Sequence, residues 1–365
     1  MTKTAIPFGD AKAVKRWGGR LAVDVAKKSY FERKFIGTDQ NALIQRKTEL
    51  ESDAGDNISF DLSVQLRGKP TEGDRRLKGN EEQLKFYTDN VSIDQIRKSV
   101  SAGGRMSRKR TVHDLRSVGK ERSSEYWSRY IDEMSFVYLS GARGINQDFI
   151  EDVDWTGRAN NALVAPDTDH ILYAGSATSK ATVAATDKMD RQLIERAATK
   201  AHMMQAKNPN TANMVPISIN GEDHYVCLMS PFQEYDLRTS EGSQAWLEIQ
   251  KQAAAAEGRN NPIFRGGLGM INNVVLHSHR NSIRFNDYGA GTNLDAGRAL
   301  FMGRQAGIIA YGTNGGMRFD WKEEWEDFDN EPVVASGTIL GFKKSQFNGK
   351  DFGVLSLDTY AKDPN

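Results

Sequence analysis

The sequence predicts an α+β protein, and three observations carry that reading. From Ile58 apolar and polar residues alternate strictly, as in a strand with one buried face. From Val112 apolar residues recur every three or four positions, the spacing of an amphipathic helix. Asn220-Gly221 stands between two apolar runs, where it supplies both positive φ angles of a tight hairpin turn. A chain of 365 residues has room for two or three modules, each with its own core.

Composition narrows the function classes. Lys and Arg number 49 against 48 Asp and Glu, so the net charge of +1 excludes a dedicated nucleic-acid binder and makes any such contact local. The single cysteine, Cys227, excludes an intrachain disulfide framework and a Cys-rich zinc site, and fits a chain made in a reducing cytoplasm. Its setting, Tyr225-Val-Cys-Leu-Met229, reads as buried strand and hence as an inert thiol. Met1 to Asp10 lacks the apolar stretch of a signal peptide and no later segment is long enough to span a bilayer, so neither secretion by that route nor a membrane span is expected.

Taken in order, residues 1 to about 50 are mixed and charged, with Gly18-Gly19 interrupting weak helical spacing at Val14, Trp17, Leu21 and Val25, which predicts an arm more than a packed core. The alternating strand at Ile58, Phe60, Leu62, Val64 and Leu66 is followed by a charged stretch from Gly68 to Asn80 with three glycines and a proline. Alternation then resumes at Leu84, Phe86, Val91 and Ile93, which predicts a long two-stranded hairpin with a mobile tip. An isolated strand pair is marginal in water, so its apolar face needs something to cover. After the basic run Arg105 to Arg110, apolar spacing from Val112 to Val137 predicts a helix of roughly 28 residues, about 42 Å long. Thr111 and Asp114 form its capping pair, Gly141 its stop, and Gly119 the expected bend.

Residues 141–186 read as extended loop and short strands, and a second helix is expected from a cap at Thr186 to before Asn208. The hairpin from Ile217 to Leu228 leads into a short helix opened by a capping box, Ser230-Pro-Phe-Gln233. Further helices are expected near 244–257 and 295–311, with strands at Val274 and Ile283. The tail returns to strand at Val333, Thr338 to Phe342 and Phe352 to Leu357, with a turn at Asn348-Gly349. No internal repeat is present.

Sites of chemistry are hard to find, and no catalytic, cofactor-binding or metal-binding residue is assigned. His277-Ser-His279 places two rings on one strand face without Cys or a spaced carboxylate, and a hydrogen-bonded pair is the favoured reading. Gly266-Gly-Leu-Gly269 and Gly289-Ala-Gly291 lack the spacing of a phosphate loop and read as turns. No G-x-S-x-G elbow occurs, His113-Asp114 defines no triad by adjacency, and the acidic run from Glu323 to Asp329 reads as surface. Arg105 to Arg110 can meet either phosphates or an acidic partner surface.

Local sequence carries a resemblance. Gly79-Asn-Glu-Glu82 with Tyr87 and Ile93-Asp-Gln-Ile-Arg97 looks like the hairpin region of tailed-bacteriophage major capsid proteins of the Hong Kong 97-type fold. So do Ser230 to Leu237, Gly297-Arg-Ala-Leu-Phe-Met-Gly303 with Gln305-Ala306, and Gly341 to Gly353 with Leu357-Asp-Thr359. Together these span roughly residues 55 to 360. The resemblance implies an N-terminal arm over 1–54, an extended β-hairpin over 55–104, a peripheral domain with a spine helix over 105–214 and 326–365, and an axial domain over 215–325. It implies hexamers and pentamers of this chain, tiling an icosahedral head in the virion around double-stranded DNA and assembled in the host cytoplasm. Expected partners are a scaffolding protein, a portal, a cement protein and the DNA itself by nonspecific contact, with no cofactor. Some relatives weld subunits by Lys–Asn isopeptide bonds, and Lys69 and Lys78 sit in the tip. Nothing places a catalytic Glu or partner Asn beside them, so no crosslink is expected. A tail tube subunit, or a hydrolase using scattered carboxylates, are the alternative readings.

Overall fold

The computed structural model describes residues 21–51, 55–63, 66, 68–207, 212–219, 221–240, 263–264, 267–313 and 318–364. A helix over 21–28 (α1) leads to α2 (Tyr30–Lys34) and the strands β1 (Ile36–Gly37) and β2 (Ile44–Lys47). The hairpin of β3 (Asn57–Ser63) and β4 (Phe86–Ser92) is followed by β5 (Asp94–Ser101), α3 (Arg105–Arg110) and α4 (Leu115–Ser140). Beyond α4 come β6 (Gly157–Arg158), β7 (Asn161–Ala162), β8 (Ile171–Tyr173), α5 (Arg191–Lys207), β9 (Ile217–Ile219), β10 (Glu222–Met229) and α6 (Pro231–Ser240). The last third is strand: β11 (Gly269–Ile271), β12 (Val274–Ser278), β13 (Arg284–Tyr288), β14 (Leu294–Met302), β15 (Gly307–Gly312), β16 (Phe319–Glu326) and β17 (Glu331–Lys344). It closes with β18 (Gln346–Phe347), β19 (Lys350–Asp351) and β20 (Val354–Tyr360).

Two sheets share one core. The first has the order β1-β2-β15-β17-β16, with β5 also on β17, so the 14-residue β17 is its axis. The second runs β11-β12-β10-β14-β20-β8, with β9 and β13 at β10 and β14. Apolar side chains of both sheets, among them Leu340, Phe342, Val226 and Leu300, join one buried cluster with Trp127, Ile131, Met134 and Val137 of α4. The opposite face of the second sheet, through Cys227, Phe301 and Leu355, packs on Leu193, Ile194 and Ala197 of α5.

Buried as it is, α4 uses its polar residues as anchors for other segments. The Trp127 indole donates to Ser336 Oγ of β17 at 2.9 Å. Glu133 accepts from the backbone of Ile150 and Glu151 at 2.6 and 2.9 Å, and its neighbour Asp132 holds α2. Asp114 caps the helix, accepting from the backbone of Arg116 and Ser117, and Gly141 ends it at φ +66°.

Several expectations need correction. Gly119 lies within an unbroken α4, and Thr111 is outside the cap. The basic run is itself a helix, α3. The second helix starts at Arg191 and not at Thr186, with the Asp190 carboxylate accepting from the backbone of Leu193 at 2.8 Å. The helix expected over 295–311 is two strands, β14 and β15. Its Ala, Leu, Arg and Met favour helix locally, but both segments lie inside sheets with neighbours on either side, and tertiary pairing overrides propensity. The helix expected near 244–257 falls outside the described residues.

The arm expected over 1–54 is packed from residue 21 onward: Leu21, Val25, Phe31, Phe35 and Ile44 are all buried in the shared core. Nor do the strands follow the expected division at 325/326. β16 and β17 pair along eight positions across that boundary, and β20 pairs with β14 in the second sheet. The turn at Asn348-Gly349 is where it was expected, at φ +55° and +67°, and β9 pairs with β10 through Ile219 and Glu222 as expected, with Gly221 at φ +88°; Asn220 lies outside the described residues. The capping box is also as expected: Ser230 N donates to Gln233 Oε1 at 2.9 Å and Gln233 N to Ser230 Oγ at 3.2 Å.

Candidate assembly surfaces

The residues that could have carried chemistry are used as structure. His277 is buried, with its Nε2 at 2.7 Å from the Ile263 carbonyl, and His279 packs on Tyr30 and Phe136 at centroid distances of 4.6 and 5.1 Å. Burial lowers both imidazoles to about 4, so each is neutral near pH 7. The Cys227 thiol is pushed up to about 12 by burial. Gly289 occupies a turn at φ +79°, Gly269 opens β11, and Asp114 is a helix cap beside an exposed His113. Among the described residues no group of three or more His, Cys, Asp or Glu could hold a metal ion. No described helix is long and apolar enough to cross a membrane.

Three buried polar arrangements escaped sequence reasoning, two because their members are far apart in the chain and the third, only seven positions apart, because its burial is set by the fold around it. Arg298 donates from Nε and Nη2 to both oxygens of Asp358, each at 2.7 Å, and from Nη1 to the Ser140 carbonyl at the end of α4 at 2.8 Å. The Tyr288 hydroxyl donates to the same carboxylate at 2.6 Å. Burial alone would lower the Arg298 guanidinium, and Asp358 more than reverses it. Lys344 and Asp351 form a second buried pair at 2.7 Å. Asp132 accepts from Ser29 Oγ and from the backbone of Tyr30 and Phe31 at 2.7 to 3.0 Å, so a helix side chain caps a different helix. Burial pushes the Asp132 carboxyl up to about 6 against the opposing pull of those donors.

The surface carries the more telling features. At its base the β3–β4 hairpin is seated: Ile58 and Val91 are buried with Leu50, Ile308 and Ala310. Further out, Leu66, Leu77, Leu84 and Phe86 are all more than half exposed, at 61, 68, 63 and 58%. Hydrogen bonds at the tip run within the tip, from Gly68 N to Glu82 and from Asn80 to Arg76 and Leu77. Lys69 and Lys78 are exposed there. The basic helix α3 meets its own chain's acidic hairpin. Arg105 donates to the Asp329 carbonyl and Arg108 to that of Asn330, and the Arg108 guanidinium lies 5.2 Å from the Trp325 ring centre.

A hairpin seated at its base and exposed beyond it, beside a spine helix buried along its second half, describes a subunit with surface to offer in contact. The model of a family described as phage capsid protein matches residues 5–363, nearly the whole chain. The chain belongs to the phage capsid protein family. The capsid of Ralstonia phage GP4 is 66% identical to it over 100% of both chains, with a TM-score of 0.88. The major capsid protein of Pseudomonas phage KPP25 is 28% identical over 91% of each chain. The Cyanophage Pam1 capsid, 21% identical with a TM-score of 0.71 over 99% of this chain and 95% of its own, shows the same fold. This capsid protein thus has the Hong Kong 97-type fold of phage shells and serves as a major capsid protein, associating with itself in the shell of the virion.

Proposed function

We propose that the subunits assemble as hexamers and pentamers into a closed icosahedral head around double-stranded DNA, with the β3–β4 hairpin lying over a neighbouring subunit. The observation that carries this is the exposure of Leu66, Leu77, Leu84 and Phe86 on a hairpin whose base is anchored in the core. Exposed apolar side chains grouped on one projecting element need a cover that the isolated chain lacks. A spine-containing peripheral unit would comprise α4 and the β17 sheet. An axial unit would comprise the β10–β14–β20 sheet with α5 and α6, replacing the division at 325/326. The chain would act without catalysis, assembled in the host cytoplasm with scaffolding, portal and cement proteins and without covalent crosslinks between subunits.

Electron microscopy of the protein expressed with and without its neighbouring phage genes tests the reading. Closed polyhedral shells, or separate hexamers and pentamers, are expected. A monomer that never assembles, even beside a candidate scaffold, would overturn it. On a denaturing gel, mature particles should run as a single band, and a ladder of linked subunits would show crosslinking.

A further inference from the structure

Five cations from three parts of the chain line one cavity of about 430 Å³: Lys28, Arg33, Lys34, Arg129 and Arg280. Lys28 ends α1, Arg33 and Lys34 form the last turn of α2, Arg129 lies on α4 and Arg280 follows β12. None of the five is ion-paired with a carboxylate among the described residues: Arg129 donates to the Asp148 carbonyl, and Lys34 lies 4.4 Å from the centre of the Tyr30 ring. The carboxylate in the lining, Asp132, already accepts from Ser29, Tyr30 and Phe31. Burial, and then the adjacent Arg33, lower Lys34 below the ordinary lysine range, a penalty that a bound anion would relieve. Tyr30 lines the same cavity, and its buried hydroxyl has no hydrogen-bond partner.

Charge along the chain gives an independent pointer. Residues 1–34 contain nine Lys and Arg against three Asp and Glu, whereas the other residues contain 40 against 45. A chain that is almost neutral overall therefore carries a local excess of positive charge over residues 1–34, and Lys28, Arg33 and Lys34 of that stretch line this cavity. The strongest acidic run of a second copy is a poor occupant, because Glu323 pairs with Arg116 and Glu324 with Lys322 of its own subunit. Guanidinium and ammonium groups converging without carboxylate partners match phosphate oxygens.

We propose that this cavity binds the phosphate backbone of nucleic acid, and that the face carrying α2, Arg129 and Arg280 is therefore the inner face of the shell. The inference rests on the shell reading above and adds where the packaged strand is held. Contacts of this kind are sequence-independent and weaken as salt rises, so they restrain the genome without fixing its register.

The test is fluorescence anisotropy of a labelled 20-base-pair duplex titrated with unassembled wild-type subunit across a series of NaCl concentrations. Each phosphate contact contributes about 0.9 to the slope of log K against log salt. The triple variant Arg33→Gln, Lys34→Gln, Arg280→Gln should lose about 2 to 3 of that slope and at least about tenfold in affinity at low salt. The corresponding triple in α3, Arg105→Gln, Lys109→Gln, Arg110→Gln, should retain most of the wild-type slope. The single variant Arg280→Gln, which leaves α2 intact, should lose about 1 and serves if the triple does not fold. Unchanged slopes in the cavity variants, or equal losses in both triples, would overturn the site. So would tight binding of poly-glutamate without binding of duplex, which would make an acidic protein segment the ligand. Wild-type shells seen by microscopy together with unchanged slopes would remove this site alone and leave the capsid reading standing.

Discussion

At the scale of single residues the fold depends on charges placed where water is absent. Arg298 ties β14 to β20 through Asp358 and to the end of α4 through Ser140, so Arg298→Met leaves a buried carboxylate without its partner. Breaking such a pair costs about 3–5 kcal/mol, whereas replacing both members with apolar residues is often close to neutral. Thermal melts should therefore place Arg298→Met well below the Arg298→Met, Asp358→Leu double variant. A double variant no more stable than the single would show that the pair does not act as a unit. Acid acts on a second set. His277 and His279, lowered to about 4 by burial, contribute stability that is full above about pH 6.5 and is lost as pH falls through 4. Asp132, raised to about 6 by burial, has the opposite sign, contributing fully below about pH 4 and losing that contribution as pH rises through 6. Two histidines outweigh one carboxylate, so melts between pH 7 and 4.5 should show net acid destabilisation on the order of a few kcal/mol. His279→Phe should flatten that profile, although it loses the bond from the Asn281 backbone; an unaltered slope would exclude His279 as a source. Of these residues only the pair His277 and His279 stands out in the sequence; Arg298 and Asp358 are 60 positions apart and the Asp132 contacts about 100, so no local pattern marks them.

At the scale of elements, local chemistry was legible wherever the signal itself was local. Alternation at Ile58–Leu62, the Asn348-Gly349 turn and the Ser230–Gln233 box depend on neighbours within a few residues, and each is where the pattern placed it. Segment 295–311 was not legible, since its identity as strand depends on β10, β20, β2 and β17 alongside it. Two glycines that look alike in sequence separate on the same grounds. Gly119 sits inside α4, where an added Cβ would meet Val100 Cγ1 at 3.5 Å, an ordinary contact. Gly119→Ala should stabilise by about 0.5–1 kcal/mol through lower backbone entropy in the unfolded chain, raising Tm by about 1 °C. Gly341 in β17 leaves no such room, because a Cβ there would collide with the Ser92 carbonyl at the foot of the hairpin. Gly341→Ala should destabilise by about 1–3 kcal/mol, and a melt matching wild type would mean that the hairpin foot can shift aside.

At the scale of the whole molecule, the order of parts along the chain was legible and their grouping was not. The spine and hairpin appear in sequence, but β15 and β16 join a sheet with residues from 36 to 47 and 94 to 101, pairings no local pattern announces. The same assembly of distant strands explains how the hairpin can be firm at one end and open at the other. Its foot rests on Leu50, Ile308 and Ala310, while Leu66, Leu77, Leu84 and Phe86 lie beyond that support. Side chains so exposed contribute little to the stability of an isolated subunit, and surface substitutions of this kind usually stay within about 0.5 kcal/mol each. In a shell they would be covered, and burying a Leu or Phe side chain is worth about 1.5–3 kcal/mol. Changing all four to Ser should therefore leave the melting temperature of the unassembled subunit close to wild type while abolishing closed particles in sedimentation and electron microscopy. The separation of the two readouts carries the argument: a variant that melts early would mean the tip packs within its own subunit, and one that still closes shells would mean the clasp between subunits lies elsewhere.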